Sequence, residues 1–114
     1  MGFNVIPSNE ADLLLHRFIT ERIPITAYFV SADESVHFNL DGFVSGFTRE
    51  SGLNIVSDLV KVGNIPAFMM FTNVSGAVCR YADETQHPKS SLLSALRLEL
   101  PNGHILTIAE RRAS

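Results

Sequence analysis

The sequence predicts a mainly β fold, a small antiparallel barrel behind one N-terminal helix. Three observations carry that expectation. One amphipathic stretch, 8–22, runs into the turn at Pro24. Almost everything after it reads as short β-branched and aromatic runs joined by polar or glycine-containing connections. A glycine, Gly42, lies inside the longest of those runs, where a barrel strand has to bend, because a residue without a Cβ tolerates sharp curvature.

Taken in order, Ser8 or Asn9 is expected to cap the helix, with Glu10 and Asp12 at the positive end of its dipole. Ala11, Leu14, Leu15, Phe18 and Ile19 recur at spacings of three and four and form one apolar stripe. Pro24 disfavours a helical Ile23 and ends the element. Residues 25–30 form a strand and 31–35 a polar turn. Residues 36–48 form either one bent strand or a hairpin about Asp41-Gly42. Further strands are expected at 53–57, 67–72 and 76–81, with 58–64 unassigned and Asn73-Val74-Ser75-Gly76 a turn. The polar stretch 82–89 reads as a loop and 90–95 as a helical turn. Finally, Asn102-Gly103 between the alternating runs 96–100 and 104–109 is a hairpin signal.

With 114 residues, 46% of them hydrophobic and 18% charged, the chain is expected to be a single domain, 1–114, with an ample core. No run approaches the roughly 20 apolar residues of a membrane span, and the N-terminus lacks the pattern of a signal peptide. A cytoplasmic protein without a membrane partner is the expectation. A single cysteine, Cys79, excludes an internal disulfide and a multi-cysteine zinc site. Nine basic against twelve acidic residues, a net charge of −3, argue against strong non-specific phosphate binding, and no DNA partner is expected.

Signals for chemistry are sparse. There is no glycine-rich phosphate loop and no nucleophile elbow. His16, His37, His87 and His104 have no second ligand at metal spacing, and the acidic pairs Asp33-Glu34 and Asp83-Glu84 fall in expected connections. No metal, cofactor or catalytic activity is expected; a search for one would begin at His37, Asp41 and His87.

The order of motifs in the first half resembles the bacterial Sm-like RNA chaperones, the Hfq family. Glu21-Arg22-Ile23-Pro24 closes the helix, Ile25 to Val30 follows as an aliphatic and aromatic strand, and then comes Leu40-x-Gly42-x-Val44-x-x-Phe47. The resemblance covers roughly residues 10–57, apart from an insertion near 33–38. It implies an Sm-like or SH3-like barrel, assembly into a homo-oligomeric ring and binding of single-stranded RNA. Arg17, Arg22, Arg49 and His104 would contact RNA, with Phe47 as a stacking aromatic whose ordinary alternative is core packing. The second half departs from the family. The Tyr-Lys-His element is reduced to His104 before the last strand, much of the rim arginine cluster is missing, and the chain between 58 and 96 is enlarged. The alternative expectation is therefore a non-catalytic small-barrel module for protein interaction or self-assembly, with Ala67-Phe68-Met69-Met70-Phe71 as its interface if that strand lies at an edge.

Overall fold

The computed structural model describes residues 3–48, 52–62, 65–71, 74–83 and 92–111. They form one helix, α1 (Ser8–Thr20), and eight strands: β1 (Asn4–Ile6), β2 (Ile25–Val30), β3 (His37–Thr48), β4 (Gly52–Val62), β5 (Ile65–Phe71), β6 (Val78–Asp83), β7 (Leu92–Glu99) and β8 (Ile105–Arg111). All strand pairs are antiparallel, and the order across the single sheet is β1-β6-β7-β8-β2-β3-β4-β5. The sheet is open among the described residues, with β1 and β5 as its edges.

Helix α1 starts differently from the expectation. Pro7 occupies the capping position without a side-chain bond, and its carbonyl accepts the N–H groups of Glu10 and Ala11. The helix ends on a left-handed residue, Arg22, at φ 46°. There the Ile23 N–H donates to the Phe18 carbonyl and the Arg22 N–H to the Ile19 carbonyl, the paired bonds of a Schellman stop. Ala11, Leu15 and Phe18 are buried, and Leu14 and Ile19 pack beside them, as the stripe predicts.

β3 is one strand, and it is the corner of the fold. Its first half pairs with β2, from Val30↔His37 to Ile25↔Gly42, and its second half pairs with β4 from Phe43↔Val56 onward. A register shift between Val44 and Gly46 lets Val44 and Phe47, three residues apart, oppose the buried Ile55 and Leu53. At Gly42 an added Cβ would lie 1.9 Å from the Val56 carbonyl oxygen. Only glycine lets β3 cross β4 at that point.

The sheet curls strongly. The rings of Phe29 on β2 and Phe71 on β5 lie 5.9 Å apart, although β3 and β4 intervene in the order. In a flat sheet three strand spacings would be about 14 Å. The concave face holds the core, with Ile25, Ala27, Val44, Leu53, Ile55, Leu96, Leu98, Leu106 and Ile108 against α1.

Several sequence expectations change. Residues 58–62 extend β4, and Ala82 and Asp83 belong to β6 rather than to a loop. Residues 92–95 lie in β7 instead of a helical turn, because β6 and β8 flank that strand on both sides and bury Ser94 and Ala95. Strand β1 was not anticipated. It is three residues long and exists through its pairing with β6. Asn73 and residues 84–91, which include the rest of the expected loop, lie outside the described residues.

Candidate functional site

The curl leaves one end of the concave face uncovered, and aromatic residues collect there. Phe29 and Phe38 are register partners across β2 and β3, and their rings stack with centroids 4.9 Å apart and planes at 21°. Phe71 reaches the same place from β5, and the imidazole of His104 lies 5.4 Å from the Phe29 ring. Together with Met70, Leu100 and Asn102 these residues line an open groove of about 380 Å³. A second depression of about 270 Å³ shares Phe29 and Phe38 with it and is otherwise lined by Tyr28, Val30, His37 and Asn39, which alternate with those two rings along β2 and β3. Phe38 is 38% exposed and Met70 56%, so the mouth presents apolar surface to solvent.

Two turns shape this mouth. In the β7–β8 hairpin Gly103 takes φ 91°, and its N–H donates to the Leu100 carbonyl, while the Leu100 N–H donates to the His104 carbonyl. The Ala32 N–H donates to Nδ1 of His104 at 2.8 Å. The neutral ring therefore carries its proton on Nε2, free to donate a hydrogen bond. In the β2–β3 turn the Asp33 carboxylate accepts from the hydroxyls of Ser31 and Ser35 and from the Ser35 N–H. The Ser35 hydroxyl, then its N–H, then the Ser31 hydroxyl hold the Asp33 pKa down at about 2, below its ordinary 3.8. His37 closes the turn, its Nε2–H donating to the Glu34 carbonyl at 2.8 Å.

The residues singled out for RNA are not brought together. Arg17 and Arg22 sit at the end of the β2–β8 ladder where Ile25 pairs with Glu110, whereas His104 precedes the opposite end, where Val30 pairs with Ile105. Five residue steps of strand separate the ends by about 17 Å. Arg17 is engaged by Glu21 at 3.4 Å and lies 3.8 Å from Glu110. The guanidinium carbon of Arg22 sits 4.8 Å above the Phe43 ring. Phe47 is half-buried, packs against the core and meets His16 edge-on at 5.9 Å. Arg49 lies outside the described residues.

Of the three residues from which a search for catalysis would start, the two that are described are also apart. His37 and Asp41 lie four positions along the same strand, about 13 Å. Asp41 is committed to the Thr26 hydroxyl at 2.6 Å, with Arg111 3.9 Å away. His87 lies outside the described residues. Among the described residues no three His, Cys, Asp or Glu side chains gather as a metal site, and no helix is long and apolar enough to cross a membrane.

From the mouth, the sequence singles out His104 as an RNA contact and Met70 and Phe71 within the candidate interface 67–71, but neither Phe29 nor Phe38. The missing signal was the hairpin register: a turn centred between Asp33 and Glu34 sets Phe29 opposite Phe38. Comparison with known protein families, curated proteins and solved structures finds no match to the chain.

Proposed function

We propose that the chain is a non-catalytic, Sm-like small-barrel module that binds a protein partner through its aromatic mouth. The Sm-like reading rests on α1 preceding β2, on the glycine-bent β3 shared by two ladders, and on the run β8-β2-β3-β4-β5. In this reading β6 and β7 are the enlargement of the second half, inserted between β5 and β8 and paired onto the β8 edge.

The observation that carries the binding reading is the stacked Phe29–Phe38 pair opening onto a groove with no lining Lys, Arg, Asp or Glu among the described residues. Such a surface recognises an apolar or aromatic side chain through desolvation and ring contact. The His104 Nε2–H and the Asn102 amide supply directional hydrogen bonds. Phosphate is disfavoured, because cations do not line the mouth and Asp33 and Glu34 stand in the adjoining turn.

RNA binding by a homo-oligomer is the second reading, favoured by the same stack, since a nucleobase also lies flat on an aromatic platform. Fluorescence anisotropy separates the two. Labelled extended peptides carrying Phe or Tyr are expected to bind, and Phe38→Ala to weaken them about tenfold, near 1.4 kcal/mol. A- or U-rich RNA is expected not to bind at low salt. Tight, salt-sensitive RNA binding lost in Phe38→Ala would replace the protein reading with the RNA reading.

A further inference from the structure

We infer that β5 is a two-fold pairing edge, through which two copies of this chain join antiparallel. β5 hydrogen-bonds to β4 on one side and to no strand on the other among the described residues. Its outer row of N–H and C=O groups is a template for another strand, which natural edges suppress with charge, brevity or bulges. β5 carries little of that protection. It is seven residues long, Ile65-Pro66-Ala67-Phe68-Met69-Met70-Phe71, without a charged residue, and Pro66 blocks only its start. Met70 on this edge is 56% exposed.

Symmetry selects the partner. A head-to-tail ring, which the first-half resemblance implies, joins two different edges of each copy. The opposite edge of this sheet is β1, and among the described residues it offers three. β8 is closed to a neighbour because β7 and β2 already flank it. Head-to-tail pairing is thus limited to a three-residue ladder, whereas β5 against β5 offers the five residues from Ala67 to Phe71. A two-fold ladder also sets a strand against its own sequence, where like charges across the axis are destabilising; β5 has none to oppose. The inference concerns the backbone edge and is independent of what the aromatic mouth binds.

Sedimentation of the full chain over a dilution series tests it, with each variant's fold checked by circular dichroism. The expected mass is twice the 12.6 kDa chain. Met70→Lys, which places the natural edge-blocking residue on β5, is expected to give monomer. Val5→Lys, on the 63% exposed face of β1, is expected to leave the dimer intact. Amide hydrogen exchange of the unmodified chain supplies a readout that needs no variant: β5 amides slow about tenfold on concentration and β1 amides do not. A monomer at every concentration overturns the inference, as does a larger ring dissolved by Val5→Lys. So does a dimer that survives Met70→Lys with β5 exchange independent of concentration. Protection of β5 appearing only on addition of an extended peptide would assign the edge to a foreign strand instead.

Discussion

At Gly42 two backbones approach so closely that the side chain must be absent. An alanine Cβ there would sit 1.9 Å from one carbonyl oxygen and 2.9 Å from its carbon, and neither can swing away as a side-chain tip would. Gly46, four residues on, has only the Asn54 side-chain nitrogen within reach, at 3.6 Å. Gly42→Ala is therefore expected to cost about 3 kcal/mol, the upper end of overpacking, and Gly46→Ala to stay within about 1 kcal/mol. Urea denaturation of the two variants checks this, and equal midpoints would show that β3 does not cross β4 as described. The sequence marks Gly42 as a bend or a hairpin turn, and the pairing of β3 with both β2 and β4 as one continuous strand decides for the bend. For Phe47 the sequence leaves two roles open, stacking on a ligand and core packing. Whether an aromatic stacks on a ligand or packs inward depends on a one-residue bulge at Ser45, which changes the face without changing composition.

Among elements, α1 was the most legible, since a helix stripe is a local pattern and its stop is written in adjacent residues. Its docking face yields a prediction. Phe18 is fully buried and Leu13 is 69% exposed, so Phe18→Ala is expected to cost about 3–5 kcal/mol and Leu13→Ala to stay within about 0.5 kcal/mol. Thermal melts of both variants measure it, and comparable losses would place the helix on a different face. The β2–β3 turn carries a pH dependence. The Asp33 carboxylate is stabilised in its charged form, with a folded pKa of about 2 against 3.8. Its contribution is therefore complete above about pH 4 and lost as pH falls through 2. NMR of the Ser35 amide is expected to show the bond to Asp33 intact at pH 4 and released near pH 2. In Asp33→Asn that titration is expected to disappear, and its persistence would contradict the assignment. β1 and the first half of β7 are the least legible elements. Three residues of β1 carry no periodicity, and Leu92 to Ala95 become strand only because β6 and β8 flank them.

For the whole molecule, the hairpins are readable in the sequence and the order of strands across the open sheet is not. Turn residues between alternating runs report which strands are neighbours, so β2–β3 and β7–β8 followed from the sequence. The pairing of β8 with β2 joins residues far apart in the chain, and no local pattern encodes it. That long-range pairing places His104 beside Phe29 instead of beside the arginines. The candidate site was thus half visible: its His and its strands, but not their convergence. The resulting molecule has two different ends. One end of the β2–β8 ladder carries Arg17 and Arg22, each occupied by a partner within the chain, and the other opens as an uncharged aromatic mouth.

NMR titration of the folded chain with a short extended peptide containing phenylalanine tests the central claim most directly. The account predicts that the resonances of Phe29, Phe38, Met70 and His104 shift together and saturate while those of Arg22 and Phe43 stay in place. Shifts confined to Arg17, Arg22 and Phe43, or a mouth that no aromatic peptide perturbs, would contradict it.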